Sequence, residues 1–219
     1  ADYRGFDDVL DARGIERIDG VLADLGVSSL QLDAPGRGFS FRRDEALDMR
    51  MDTSSGMTAA DMLASVDEKT LADVIYELGE ERYARRVARA IVEARKARRI
   101  ESTGQLADIV RRAIPRKGFT RIDPATRTFQ AIRIWVNEEL EGLDGFLTRA
   151  AQRLAPQGRL VLLTFHSLED RVVKHTFRSL QAAGIVSIRT KRPVVPLEAE
   201  IDRNPRARSA KLRAVERAA

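Results

Sequence analysis

Two short apolar runs constrain the fold of this chain more than anything else in it. Residues 18–22 (IDGVL) and 159–165 (RLVLLTF) are bounded by turn signals, and both read as buried strands. Each stops on a polar group. Asp24, Gly26 and two serines follow the first, and His166-Ser167 closes the second. A strand that ends in a polar residue and a small-residue loop is how an open α/β sheet presents a crevice at its carboxyl edge. Between the two runs lies a long stretch with helical spacing.

Residues 5–13 predict a short amphipathic helix, with Phe6, Val9 and Leu10 on one face and Gly14 as its stop. Residues 25–51 have no sustained period and read as a long functional loop. From residue 54 the spacing is helical. Thr58 and Asp61 make a capping box, and residues 80–99 predict one long helix. Ser102 or Thr103 starts another helix, which Pro115 ends. Residues 116–121 form a basic, glycine-containing loop. Residues 124–154 read as a helical stretch that Gly142 and Gly145 bend or break, and 156–158 (PQG) as a turn. Residues 168–181 predict a helix, and 185–190 and 211–217 alternate as strands do. An α/β protein with an all-helical block inserted into a sheet domain has this pattern.

Charged residues make up 32% of the 219, and the net charge of +5 favours a polyanionic partner, nucleic acid above all. The same excess also suits plain solubility. With no cysteine, disulfides and Cys-based zinc sites are excluded. No apolar stretch has membrane-spanning length, so no membrane partner is expected, and cytoplasmic residence is compatible.

Several long motifs carry a resemblance. ADLGVSSLQLD, RGFSF and LDMRMD occur in that order within residues 23–52. GEERYARRVARAI (79–91), PATRTFQAIRIWVNEEL (124–140), TFHSLEDRVVK (164–174) and NPRARSAKLRAVER (204–217) follow. The chain resembles the ribosomal RNA small-subunit methyltransferase H family across nearly its whole length. The resemblance implies S-adenosyl-L-methionine as cofactor and N4-methylation of a cytosine in the decoding centre of 16S rRNA, within the small ribosomal subunit. It also implies a Rossmann-like class I methyltransferase sheet domain interrupted by a helical insertion. The expected boundaries are 1–52 for the first part of the sheet domain, 53–123 for a substrate-recognition insertion, and 124–219 for the second part.

The chemistry then selects residues. A cytosine N4 lone pair is delocalised into the ring, so acceptors aimed at the amine protons favour attack and stabilise its developing positive charge. Asp24 is the candidate acceptor; the resemblance also assigns it to the cofactor, and a helix or loop cap is the lesser alternative. Gln31 and Tyr3 match family cofactor positions, and Ser28 and Ser29 are either crevice or turn serines. A base extruded from folded RNA is usually held by stacking. Phe39 and Phe41 are candidate platforms, unless they simply tuck under their loop, and Arg37 is a candidate RNA contact. His166 is either a substrate-side catalytic group or structural. Arg127, Arg133 and Asn137, with the arginines of 82–99, Lys117, Arg121, Arg206, Arg208 and Lys211, form a candidate RNA-facing surface. Glu169, Asp170 and Arg171 read as a helix-start charge cluster.

A Rossmann-type methyltransferase needs a glycine-rich loop after its first strand and an acid after its second. Nothing before residue 18 provides either. The resemblance places both in a segment preceding Ala1, so the chain is expected to be an N-terminally shortened member. It is expected to bind the cofactor weakly alone, with the missing piece or a homodimer as rescue. Two rivals remain: a non-catalytic RNA-binding module, and an amino-methyltransferase acting on DNA.

Overall fold

The computed structural model describes residues 2–115 and 122–218, without the side chains of Ser29 and Asp33. The expectations placed on the 116–121 loop, on Lys117 and Arg121 and on the Ser29 side chain lie outside it. A 3-10 turn at Tyr3–Gly5 leads into α1 (Phe6–Asp11), β1 (Ile18–Asp24) and α2 (Ser29–Asp33). Five helices follow: α3 (Ala59–Ser65), α4 (Glu68–Gly79), α5 (Ala84–Ala97), α6 (Thr103–Ala113) and α7 (Ala125–Asn137). Then come α8 (Leu143–Arg153), β2 (Leu154–Thr164), α9 (Ser167–Ala182), β3 (Val186–Ile188), α10 (Glu198–Arg203), a 3-10 turn at Pro205–Ser209, and β4 (Lys211–Arg217).

The chain divides into two compact units. One joins Ala1–Gly26 to Leu140–Ala219, and the other is Val27–Glu139. Residues 27–52 and 124–139 therefore pack with the helices, although the sequence suggested division at 52 and 123.

The first unit is a four-stranded sheet in the order β1-β2-β4-β3. β1 and β2 are parallel, and β4 runs antiparallel to both β2 and β3. This mixed α/β plan fits the expected Rossmann-like class. Leu160 and Leu162 of β2 and Val215 of β4 are fully buried with Phe146 and Leu147 of α8 and Val173 and Phe177 of α9. Burying such side chains contributes about 1.5–3 kcal/mol each, which is why these alternating positions set the face of the strand. On β1, Val21 and Ala23 pack against this core while Leu22 is 71% exposed.

Three expectations change here. Residues 156–158 are no turn but a bulge within β2: Gln157 has φ +66, and the register slips between Ile18 and Gly20. A side chain at Gly158 would meet Ala155 O at 2.9 Å and Asp19 O at 3.0 Å, so only glycine fits. Val9 is exposed, leaving Leu10 as the buried anchor of α1. The 124–154 stretch breaks at Gly142 (φ 69), as that glycine suggested, but α7 ends earlier, where Glu138 turns left-handed (φ 50), and Leu154 already belongs to β2.

The second unit buries its own core. Leu63, Leu71, Ile75, Val87, Ile91, Leu106 and Ile132 are at most 1% exposed. The capping box of Thr58 and Asp61 opens α3, and Ser102 with Gln105 opens α6 in the same way. The 80–99 helix starts only at Ala84, since Glu80 is left-handed (φ 51) and caps α4. The supposed 25–51 loop contains α2, closed by a capping box of Ser28 and Gln31.

Candidate functional site: the carboxyl edge of the sheet and the basic helical unit

In the sheet unit, β1 and β2 end side by side. Asp24 pairs with Leu163, and Leu25 N donates to Leu163 O at 3.0 Å. Asp24 is exposed, and among the described residues its carboxylate has no hydrogen bond or ion pair. It is not a loop cap. Gly26 follows at φ +89, and a side chain there would approach the Phe165 ring at 3.7 Å. The chain thus leaves β1 through a conformation that favours glycine, with an acceptor standing open at the parallel edge.

Across the edge, β2 ends at Thr164 and His166 caps α9. Its Nδ1 accepts from Glu169 N at 3.4 Å, and its Nε2 lies 3.2 Å from Glu169 Oε1. Glu169 Oε2 accepts from Phe165 N at 2.9 Å. His166 and Glu169 are both buried, so the geometry gives His166 the task of fixing the strand–helix junction. Of the two readings that the sequence left open for His166, these contacts are those of the structural one.

Asp170 is more than one charge in a surface cluster. Arg213 donates to it at 2.6 and 3.2 Å and Lys211 at 3.2 Å, with Asp170 and Arg213 each 8% exposed. Burial pushes the Asp170 carboxyl up, but the bonds from Arg213 and Lys211 outweigh it and hold the group below the usual carboxylate range. No local pattern announces this pair, since its partners lie 43 residues apart. Lys211, expected on an RNA surface, belongs to it. Tyr3 packs its ring on Phe146 at 5.3 Å, and its hydroxyl donates to Glu141 O at 3.0 Å.

In the helical unit, most predicted RNA contacts turn inward. Gln31 Oε1 accepts from Ser28 N at 2.9 Å, completing the α2 cap, and Nε2 reaches Met51 O at 3.5 Å. Arg37 Nη2 donates to Arg50 O and Met51 O at 2.7 and 2.9 Å. Asn137 donates to Met49 O at 2.7 Å and accepts from Met51 N at 2.6 Å. Arg133 forms a fork with Glu139 at 2.8 Å on both arms. Arg37, Arg133 and Asn137 therefore brace the unit, where the sequence suggested an outward surface. Phe39 and Phe41 pack against the helical core, Phe41 edge-on to Phe129 at 4.8 Å. They tuck under their loop.

What remains outward is α5 and its flanks. Residues 82–99 hold eight basic side chains and one acid, Glu93. Arg95 is drawn to Leu63 O, Lys96 to Glu93, and Arg99 to Asp61. Arg85, Arg86 and Arg98 are exposed and have no partner among the described residues, while Arg127 is exposed and donates to Glu80 O at 3.1 Å. Among the described residues no helix is long and apolar enough to cross a membrane.

Residues 1–218 match the MraW methylase family. A protein of Deinococcus radiodurans described as ribosomal RNA small subunit methyltransferase H is 54% identical over 218 residues, covering 99% of this chain and 68% of that one. Its namesake in Anaplasma marginale (strain Florida) is 54% identical over 204 residues, or 93% and 70% of the two chains. A third, in Paramagnetospirillum magneticum, is 48% identical over 234 residues, or 99% and 73%. With its sheet, its motifs and nearly its full length matched, the chain belongs to the MraW methylase family.

Proposed function

We propose that the chain methylates the N4 amine of a cytosine in the decoding centre of 16S rRNA, using S-adenosyl-L-methionine. The relatives' shared name supports small-subunit ribosomal RNA as the substrate. The observation that carries the reading is the open Asp24 carboxylate at the end of a parallel strand. Ligands of open α/β sheets bind at this edge.

The residues at the end of β1 fit part of the cofactor. An unpaired acceptor beside a glycine at positive φ suits a ligand rich in hydroxyl and amine donors. Asp24 would hold it there, with Gln31 and Tyr3 as the further contacts that the family resemblance implies. The cofactor, when bound, supplies a methyl group on a positively charged sulfur. Asp24 accepts from the amine protons of the target base, drawing the nitrogen towards a tetrahedral, attacking shape. His166 and Glu169 hold the end of β2 beside it. The exposed arginines of α5 meet RNA phosphates.

The test is transfer of labelled methyl to unmodified small ribosomal subunits by the chain joined to the N-terminal segment that the resemblance implies, and by the Asp24→Asn variant of that protein. Loss of about 10²–10³-fold in rate, with RNA binding kept, is expected for a lost acceptor. Equal transfer by both would remove Asp24 from the chemistry. RNA binding without any transfer would favour a binding module, and transfer to duplex DNA alone would replace the substrate.

A further inference from the structure

The helical unit has a cleft of about 560 Å³, lined by Phe41, Arg42, Arg111, Ile122, Asp123 and Thr126. We propose that it takes one nucleotide of single-stranded RNA, its base stacked on the Arg111 guanidinium and its phosphate met by Arg42. The proposal rests on the reading of RNA as substrate and adds a second contact to it.

The argument begins in the core. Phe129 is 4% exposed and meets Phe41 edge to face at 4.8 Å. Arg111 lies over the Phe41 ring at 5.5 Å. Core aromatic, half-buried aromatic and guanidinium therefore form successive layers, and the Arg111 side chain is still 36% exposed. Its orientation is fixed at its edges. Asp123 accepts from Nε at 3.0 Å and from Nη2 at 2.8 Å, and Asp108 accepts from Nη1 at 3.2 Å. A guanidinium bound at its edges keeps its faces for stacking. Phe41 lies beneath the group, its ring centre 5.5 Å from Cζ, and an arginine plane is a platform on which unpaired bases stack.

The rim has the complementary charge. The Arg42 backbone N donates to Ser40 Oγ at 3.2 Å, while its exposed side chain has no partner among the described residues. Ile122 is 59% exposed on the same cleft, an apolar wall beside a cation. The volume falls within the range of about 300–1,000 Å³ usual for small-ligand sites. Asp123 is already occupied by Arg111 and by the Ala125 N, so no carboxylate is left to read a base edge. A site that stacks without reading edges tolerates every base.

The chain is titrated with a five-nucleotide single-stranded RNA carrying one 2-aminopurine, whose fluorescence falls on stacking. Binding with quenching is expected, and of similar strength when the flanking bases are changed. Arg111→Lys keeps the charge but removes the plane, so it should weaken binding about tenfold and abolish the quench. Arg42→Ala alters an exposed, unpaired side chain and keeps the fold. It should weaken binding about threefold and reduce the slope of log affinity against log salt by about 0.7. Thr126→Trp fills the cleft from an exposed position and should also abolish the quench, so the outcome does not depend on Arg111 alone. An unchanged quench in Arg42→Ala and Thr126→Trp, with binding lost only in Arg85→Ala/Arg86→Ala, would overturn the cleft and leave the RNA substrate intact. A chain that binds no RNA of any kind would overturn both.

Discussion

Met49 is fully buried and yet sits at φ +63, a left-handed conformation that costs a non-glycine residue of order 1 kcal/mol. Its neighbours hold it there: Met49 N donates to Arg37 O at 2.9 Å, and Asn137 brackets it through Met49 O and Met51 N. Asn137→Ala leaves those groups without partners and should destabilise the protein by about 2–3 kcal/mol, seen as a lower urea midpoint. An unchanged midpoint would mean that the bracket is idle. The buried Asp170 makes a second prediction. Its folded-state pKa is lowered, so its contribution to stability is present above the unfolded value, near 3.9, and is lost as pH falls through the folded one. Acid unfolding of Asp170→Asn should therefore lose part of that low-pH dependence, and removal of one partner should cost about 3 kcal/mol at neutral pH. A variant as stable as the parent at pH 7 would contradict it. Neither residue was legible in its role. Helical spacing placed Arg133 and Asn137 on an outward face, and its loop made Arg37 a candidate RNA contact, but which loop folds over a helix is a long-range fact. Asn137 and Met49 are 88 residues apart.

Elements whose signals are local were read well. Thr58 with Asp61 marks the start of α3 because an N-cap and its partner are three residues apart. Thr58→Ala should lower stability by about 1 kcal/mol, a shift of a few degrees in the thermal midpoint. No shift would show that Asp61 alone satisfies the first turn. Elements that depend on a partner were read less well. The 156–158 bulge looks like a turn until β1 lies beside it and fixes the slipped register. Gly142 marked the break between α7 and α8, but α7 already ends at Glu138, a residue with no sequence preference for the left-handed conformation it adopts. The opposite happened with Phe41. Its aromatic character pointed to RNA, while its ring turned out to support Arg111, whose own charge carried no such signal.

At the scale of the whole chain, the class was legible because two strands and a block of helices differ in period, and period survives without contacts. The boundaries were not, because residues 27–52 have no period and show their allegiance only by packing. The helical unit is one continuous segment with its own core, so residues 27–139 expressed alone should be helical, unfold cooperatively and keep salt-dependent RNA binding. Circular dichroism and a salt titration check this; an unfolded segment would show that its core needs the sheet unit. The sheet unit is the reverse case, made from two distant segments. β1 ends at Asp24 and its partner β2 begins at Leu154, about 130 residues later. On a ribosome working at about 5–20 residues per second, β2 emerges on the order of ten seconds after β1. The helices between them have everything they need within that interval. The parallel β1–β2 pairing is thus made only after the helical unit is complete.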